Sequence, residues 1–375
     1  MTVRRALTIA IALLLAGQGA ALAGHNDPSP HVAAMGRAAP PTSSSTTSTE
    51  APVTTTSPTT TEVPPATTAA PRPVTTRPKT TTPRKPAAAP APPPPPPAPN
   101  PGSIAAAFYY GWYPSSFSNP GTHYHPTAGQ YDSNDLGTVK RQIDEMRYGG
   151  MQAAIASWWG PATWPNNPYG YQTVDRAFGV DLQAAHGTPF QWALYFESGA
   201  PAFADRSPAV LQSATQYIAA HYANDPNYLH IAGRPVIFVW PNAGDGCDMV
   251  QRWHDVAPGF YVVQKRFPNF QACAGQADSW HEYSPNLSQT EVKPWSFSVS
   301  AGFWRYDEST PRLARDPARY DGAVRAMAAS TAQWKLVTTF NEWGEGTAVE
   351  PAAEWATASG YGVYLDILHK YLGSR

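Results

Sequence analysis

The chain has 375 residues, with 26 Lys/Arg against 27 Asp/Glu and a formal charge of −1, and it carries no basic stripe, so a nucleic-acid partner is not expected. All 13 Trp, 19 Tyr and 13 Phe lie at or beyond Phe108, so the segment before it cannot bury enough apolar surface to offset the entropy of ordering. What remains is one folded domain, 103–375, of a size that suits an α/β barrel.

In chain order, residues 1–23 have the pattern of a secretory signal peptide. Arg4 and Arg5 form the positive end, Ala6 to Ala16 is a short apolar run, and Ala21-Leu22-Ala23 is a cleavage site of the A-x-A type. The run is too short for a good transmembrane helix. The expectation is therefore a secreted, extracellular protein whose mature chain does not insert in a membrane. An uncleaved anchor is the alternative.

Residues 24–102 are rich in Ala, Pro and Thr and end in a run from Pro92 to Pro97. Proline fixes φ and donates no backbone hydrogen bond, so this tract is expected to be a disordered, extended linker. It is either a stalk holding the domain off a cell surface or a neutral spacer. Eight of the chain's basic and three of its acidic residues precede Ser103, which leaves the folded part mildly acidic.

Beyond Gly102, strand and helix signals alternate. Apolar strand candidates are 104–110, 152–158, 190–196, 235–240 and 260–263, followed by weaker ones at 279–283 and 297–303 and a strong one at 335–340. Several are nearly continuously apolar, as strands buried on both faces are. Between them run stripes at helical spacing: Leu136, Val139, Ile143 and Met146; Val174 to Ala185; Leu211, Ala214 and Ile218; Val324, Met327 and Ala328; and Tyr361 to Leu372. Eight strands with intervening helices predict an α/β fold, a (β/α)8 TIM barrel. The alternative, an open doubly wound sheet, usually carries a Gly-rich first turn for phosphate; here the first strand ends in Tyr109-Tyr110-Gly111-Trp112-Tyr113.

Cys247 and Cys273 are the two cysteines. Export would favour a disulfide between them, joining the loops after two neighbouring strands; two free thiols are the alternative.

A barrel delivers its chemistry at the C-terminal ends of its strands. In chain order these ends supply Tyr110, Trp112 and Tyr113; Trp158 and Trp159; Glu197; Trp240; Lys265 and Arg266; His281, Glu282 and Tyr283; Trp304; and Asn341, Glu342, Trp343 and Glu345. Aromatic faces stack on sugar rings, and carboxyl groups bind hydroxyls and move protons. In the last segment an apolar strand runs into two acids three residues apart. Such a pair can supply the two carboxyl groups that glycoside hydrolysis needs. Acids at buried strand ends are costly unless used or paired.

Asn341-Glu342-Trp343-Gly344-Glu345-Gly346-Thr347 followed by Val349-Glu350-Pro351 resembles the signature of glycoside hydrolase family 99 and its relatives, the endo-α-mannosidases and endo-α-mannanases. Phe108-Tyr109-Tyr110-Gly111-Trp112-Tyr113 and Ala156-Ser157-Trp158-Trp159-Gly160 resemble the family's first two strands, and the resemblance spans Ile104 to about Leu372. It implies a (β/α)8 barrel that hydrolyses α-linked glycans with retention, using the substrate's own 2-hydroxyl as nucleophile. By the same resemblance Glu342 would be the general base on that hydroxyl and Glu345 the general acid on the leaving oxygen. Tyr110 or Tyr113 matches a family tyrosine near the site, and Glu197 a family acid that contacts substrate.

The expectation is thus a monomeric glycoside hydrolase of a polysaccharide or oligosaccharide, with no cofactor and no metal. Substrate contacts are expected from Tyr110, Trp112, Tyr113, Trp158, Trp159, Glu197, Trp240, His281, Tyr283, Trp304, Asn341 and Trp343. A non-catalytic carbohydrate-binding protein and a transglycosylase on the same barrel are the rival readings.

Overall fold

The computed structural model describes residues 102–373 except 119–120, 165, 168 and 243. The expected signal peptide and nearly all of the Pro/Thr-rich linker lie outside the described residues. Among these residues there are ten strands: β1 (Ile104–Tyr109), β2 (Ala153–Trp158), β3 (Gln191–Glu197), β4 (His230–Ile231), β5 (Arg234–Trp240), β6 (Tyr261–Lys265), β7 (Ser279–His281), β8 (Gln289–Val292), β9 (Ser296–Ser300) and β10 (Trp334–Thr338). Besides a single turn at Ser115–Ser118, the α-helices are α1 (Leu136–Tyr148), α2 (Tyr169–Ala185), α3 (Pro208–His221), α4 (Cys247–Val256), α5 (Pro317–Ala329) and α6 (Gly362–Leu372).

Seven parallel pairings run in the order β7-β6-β5-β3-β2-β1-β10-β9, which wraps eight strands into a (β/α)8 barrel. The short strands β4 and β8 pair antiparallel with β5 and β9. At the seam between β7 and β9 no ladder forms among the described residues. A side-chain bond crosses there instead, from the Ser298 hydroxyl to the Glu282 carbonyl.

All eight expected barrel strands are observed, with ends shifted by a few residues. The five expected helical stripes lie on α1, α2, α3, α5 and α6. Their starts are set by local chemistry: Asp135, Ser207 and Asp316 accept from the first-turn amides of α1, α3 and α5, and Pro follows the cap in the latter two.

Two departures are informative. Cys247 opens helix α4 instead of lying in a loop, and α4 packs Met249, Val250 and Trp253 inward. Among the described residues no α-helix follows β6 or β7. In that sector Val250, Phe270, Cys273, Trp280 and Val292 form a satellite core with Phe267 and Trp295, and the Cys247–Cys273 disulfide closes over it. A small apolar cluster under a cross-link covers the barrel wall there in place of a helix.

Side-chain alternation along the strands divides inside from outside. On β1, Phe108 points into the barrel, 5.0 Å from both the Tyr195 and Tyr283 rings. Tyr109 points out, its hydroxyl donating to Gln142 of α1 at 2.8 Å. Phe108, Tyr195, Phe238 and His281 form an interior aromatic layer. The candidate site lies beyond it, at the C-terminal mouth.

Candidate active site

Three carboxyl groups meet at that mouth. Glu197 ends β3, and Glu342 and Glu345 follow β10; they are 4 %, 1 % and 0 % exposed. Each is held by a different neighbour. The Ser157 hydroxyl, at the end of β2, donates to Glu197 Oε1 at 2.8 Å, and Trp159 Nε1 donates to the same Ser157 oxygen at 2.8 Å. The Gly344 amide donates to Glu342 Oε1 at 3.1 Å, and the Glu342 amide donates to Thr339 Oγ1 at 2.8 Å. The Tyr283 hydroxyl donates to Glu345 Oε2 at 3.1 Å and accepts from the Tyr110 hydroxyl at 3.0 Å. Among the described residues Glu342 Oε2 and Glu345 Oε1 have no hydrogen-bond partner. Each acid therefore has one oxygen fixed by the protein and one left over.

Burial makes charge costly here. It pushes the Glu197 carboxyl up to about 8; the Ser157 bond opposes the shift and the charge of Glu345 adds to it. It pushes Glu345 up to about 7, against the pull of the Tyr283 bond and of Arg305 and Arg312. Glu342 is raised well above the usual carboxylate range, first by burial and then by the charge of Glu345. At neutral pH the cluster therefore retains protons that exposed carboxyl groups would have lost.

Aromatic residues wall the cluster. The Tyr110 and Trp112 rings lie 4.6 Å apart, and Trp112 meets Trp159 edge-on at 6.1 Å. Trp240 is half-buried, packs edge-on against Tyr283 at 5.7 Å and carries Lys265 Nζ 4.9 Å from its ring centroid. Trp304, also half-buried, stacks on His123 at 3.8 Å. Lys265 and Arg266 pair with Glu282 at 3.2 and 2.8 Å.

The structure places other expected contacts elsewhere. Trp158 turns to the helix side of β2, where its indole donates to Asp175 at 2.7 Å and packs near Phe203 and Tyr217. Alternation sends Ser157 and Trp159 inward and Trp158 outward. Trp343 is fully buried behind the acids, donating to Glu350 at 3.0 Å and Tyr131 at 3.2 Å. His281 sits in the interior aromatic layer, 3.1 Å from the Tyr195 hydroxyl, and burial holds its pKa well below normal. Asn341 spends its amide on the Tyr110 backbone, accepting from N–H at 2.8 Å and donating to C=O at 3.0 Å. Tyr113 donates to the Asn341 carbonyl at 2.6 Å. These residues hold the site's frame.

Sequence reading did not single out Ser157, Tyr131, Thr339, Arg305 or Arg315. Only Ser157 had a usable signal, since it alternates with Trp158 at a strand end. Cavities of about 450 and 200 Å3 lie at the starts of the strands, around Asp278, away from the carboxyl cluster. Among the described residues no helix is long and apolar enough to cross a membrane.

The fold and site together define a (β/α)8 barrel with buried, proton-retaining carboxyl groups at the C-terminal ends of its strands. The motif resemblance to glycoside hydrolase family 99 is joined by a likeness in fold. The chain is similar to the GH99 endo-alpha-mannosidase of Bacteroides thetaiotaomicron in complex with bis-tris-propane, with TM-score 0.55, 20 % identity, and 72 % of this chain and 95 % of that one covered. A second structure of that enzyme gives TM-score 0.54 and 18 % identity over 71 % and 95 %. A glycoside hydrolase-like protein gives 0.55 and 17 % over 75 % and 97 %. No protein-family model and no curated protein sequence matches the chain.

Proposed function

We propose that the chain is a secreted glycoside hydrolase that cleaves an α-linked, α-mannan-like glycan with retention of configuration. The observation that carries this reading is the pair of unpartnered oxygens, Glu342 Oε2 and Glu345 Oε1, on two buried acids that follow one strand. A glycosidic bond needs a proton donor on its leaving oxygen and a base that activates the nucleophile. Glu345, pushed up to about 7, can hold a proton at neutral pH and release it to a leaving oxygen. The Gly344 amide only opposes the upward shift of Glu342, which burial and the charge of Glu345 still hold well above the usual carboxylate range, so nothing but the motif resemblance points to it as the base. That Glu342 acts on the substrate's own 2-hydroxyl, and which acid takes which role, rests on the motif resemblance. Glu197 is the third carboxyl group and would bind a sugar hydroxyl. Trp240 and Trp304, which are half-buried, would offer stacking faces.

The test is incubation of the purified domain with α-mannans, α-glucans and envelope polysaccharides. Mass spectrometry would identify fragments, and NMR the first-formed anomer. Retained α-anomer from a mannan is the expected result. Binding without turnover would leave a carbohydrate-binding protein, and transfer to a second sugar a transglycosylase. Export is tested by N-terminal sequencing of the protein from culture supernatant, with a start after Ala23 expected.

A further inference from the structure

Glu342 and Glu345 are anchored by different parts of the chain. Glu342 is fixed from within its own segment, by Thr339, Gly344 and Thr347. The stretch carrying Glu345 is fixed from outside, by the loop between β9 and α5. In that loop Phe303 and Leu313 pair in antiparallel fashion, closing a neck. The Tyr306 amide donates to the Gly344 carbonyl at 2.9 Å, and the Trp304 amide to the Glu345 carbonyl at 2.8 Å. Arg315, just past the neck, donates through Nη2 to the Gly346 carbonyl at 3.0 Å and also to that of Ala348. Four of the five carbonyls from Gly344 to Ala348 are thus held by this one loop.

Arg315 is the only side chain among those tethers. Its guanidinium carbon lies 4.8 Å from the ring centroids of both Tyr124 and Tyr364 and 5.9 Å from that of Trp355. Among the described residues it forms no ion pair with a carboxylate. A cation without a counter-carboxylate, enclosed by aromatic faces, is compensated by ring faces and peptide carbonyls. Both carbonyls bond to Nη2 alone, and the planar guanidinium leaves its faces to the rings, which a tetrahedral ammonium would not do. The fit is close: Gly346 has φ +63°, and a Cβ there would come within 2.7 Å of the Trp304 carbonyl oxygen. Gly302 is equally tight, since a Cβ would meet Arg315 Cγ at 2.6 Å.

We propose that Arg315 is a positioning residue for the proton donor: it sets where Glu345 stands relative to Glu342, and so controls protonation of the leaving oxygen without touching substrate. The inference rests on the hydrolase reading for its kinetic consequence, though not for its structural one.

The test compares Arg315→Met and Arg315→Lys with the unaltered protein on two substrates: an α-mannan oligosaccharide, whose leaving oxygen needs a proton, and the matching α-glycosyl fluoride, which departs without one. A displaced general acid should lower kcat on the oligosaccharide by about 100-fold, while the fluoride changes by no more than about fivefold. Arg315→Lys keeps the charge but lacks the fork, so it should lie between. It also supplies the kinetic comparison should Arg315→Met melt below assay temperature. Hydrogen exchange should quicken over 343–349 and stay unchanged over 334–338. Equal losses on both substrates, or unchanged exchange over 343–349, would overturn the proposal. If the unaltered protein cleaves neither substrate, the hydrolase reading fails, and the exchange result alone decides whether Arg315 holds the segment.

Discussion

The Tyr283 hydroxyl donates to Glu345 Oε2 at 3.1 Å while the Tyr110 hydroxyl donates to Tyr283 at 3.0 Å. This relay runs from the end of β1 across the barrel mouth to the segment after β10, and it favours the charged form of Glu345. Replacing Tyr283 by Phe removes that bond, so the Glu345 pKa should rise. The basic limb of the pH–rate profile should move to higher pH, and kcat should fall by about tenfold as a hydrogen bond worth roughly 1 to 1.5 kcal/mol is lost. An unmoved limb would detach Tyr283 from the acid.

Glu345→Gln should reduce turnover of glycans with poor leaving groups by about 10²- to 10⁴-fold while binding persists. In the unaltered protein, activity should decline as pH rises through about 7, where Glu345 gives up its proton. Calorimetric binding and a pH series on one glycan measure both. Undiminished hydrolysis by Glu345→Gln would remove it from the chemistry.

Glu197 gives a stability prediction. Its folded pKa of about 8 lies above the ordinary carboxyl value of 4.5. The native state therefore binds more protons than the unfolded chain between those two values. The slope of unfolding free energy with pH is then negative, and stability should fall as pH climbs from about 4.5 to 8. Glu197→Gln removes the cost of charging a buried group and can still accept from Ser157. At pH 8 it should stabilise the fold by about 1 to 3 kcal/mol, a part of the linkage limit, and by much less at pH 4.5. Thermal melts at the two pH values decide it.

Two tryptophans from the same set should part company. Trp240 is half-buried at the mouth, and Trp240→Ala should raise KM by about tenfold, as expected for a lost stacking face, with little change in melting temperature. Trp158 packs under α2, and Trp158→Ala should destabilise by about 3 to 5 kcal/mol with specific activity of the folded fraction retained. Paired melts and kinetics separate the two outcomes.

Removing the Cys247–Cys273 bond frees a loop of 26 residues. Chain entropy puts the loss near 3.5 kcal/mol, so a Cys247→Ser, Cys273→Ser double variant should melt on the order of 10 °C lower. Its kinetics at low temperature should match those of the unaltered protein, because the bond spans the satellite core and not the carboxyl cluster.

The barrel was legible because its strands are short apolar runs buried on both faces, a pattern that survives without knowing their partners. The acid pair was legible because Glu342 and Glu345 follow one such run. What a linear reading could not supply was direction. Trp158 and Trp159 differ by one position and face opposite sides of β2, and Trp343 lies between the two acids yet points behind them to Glu350. Arg315 and Tyr131 were invisible for a different reason: each lies in a loop with no periodicity, and acts on residues close to it only in the folded barrel. Helix α4 was not read from the sequence, although Met249, Val250 and Trp253 are as many as the residues that marked α3 or α5.

Asn341 clasps the backbone of Tyr110 across a separation of 231 residues, binding the last barrel strand's exit to that of the first. Synthesis consequently yields Glu197 and most of the aromatic walls before Glu342 and Glu345, and a shortened product lacking the tenth strand would lack both of those acids. Because the tenth strand pairs with the first, those two acids stand at the mouth only in the closed barrel.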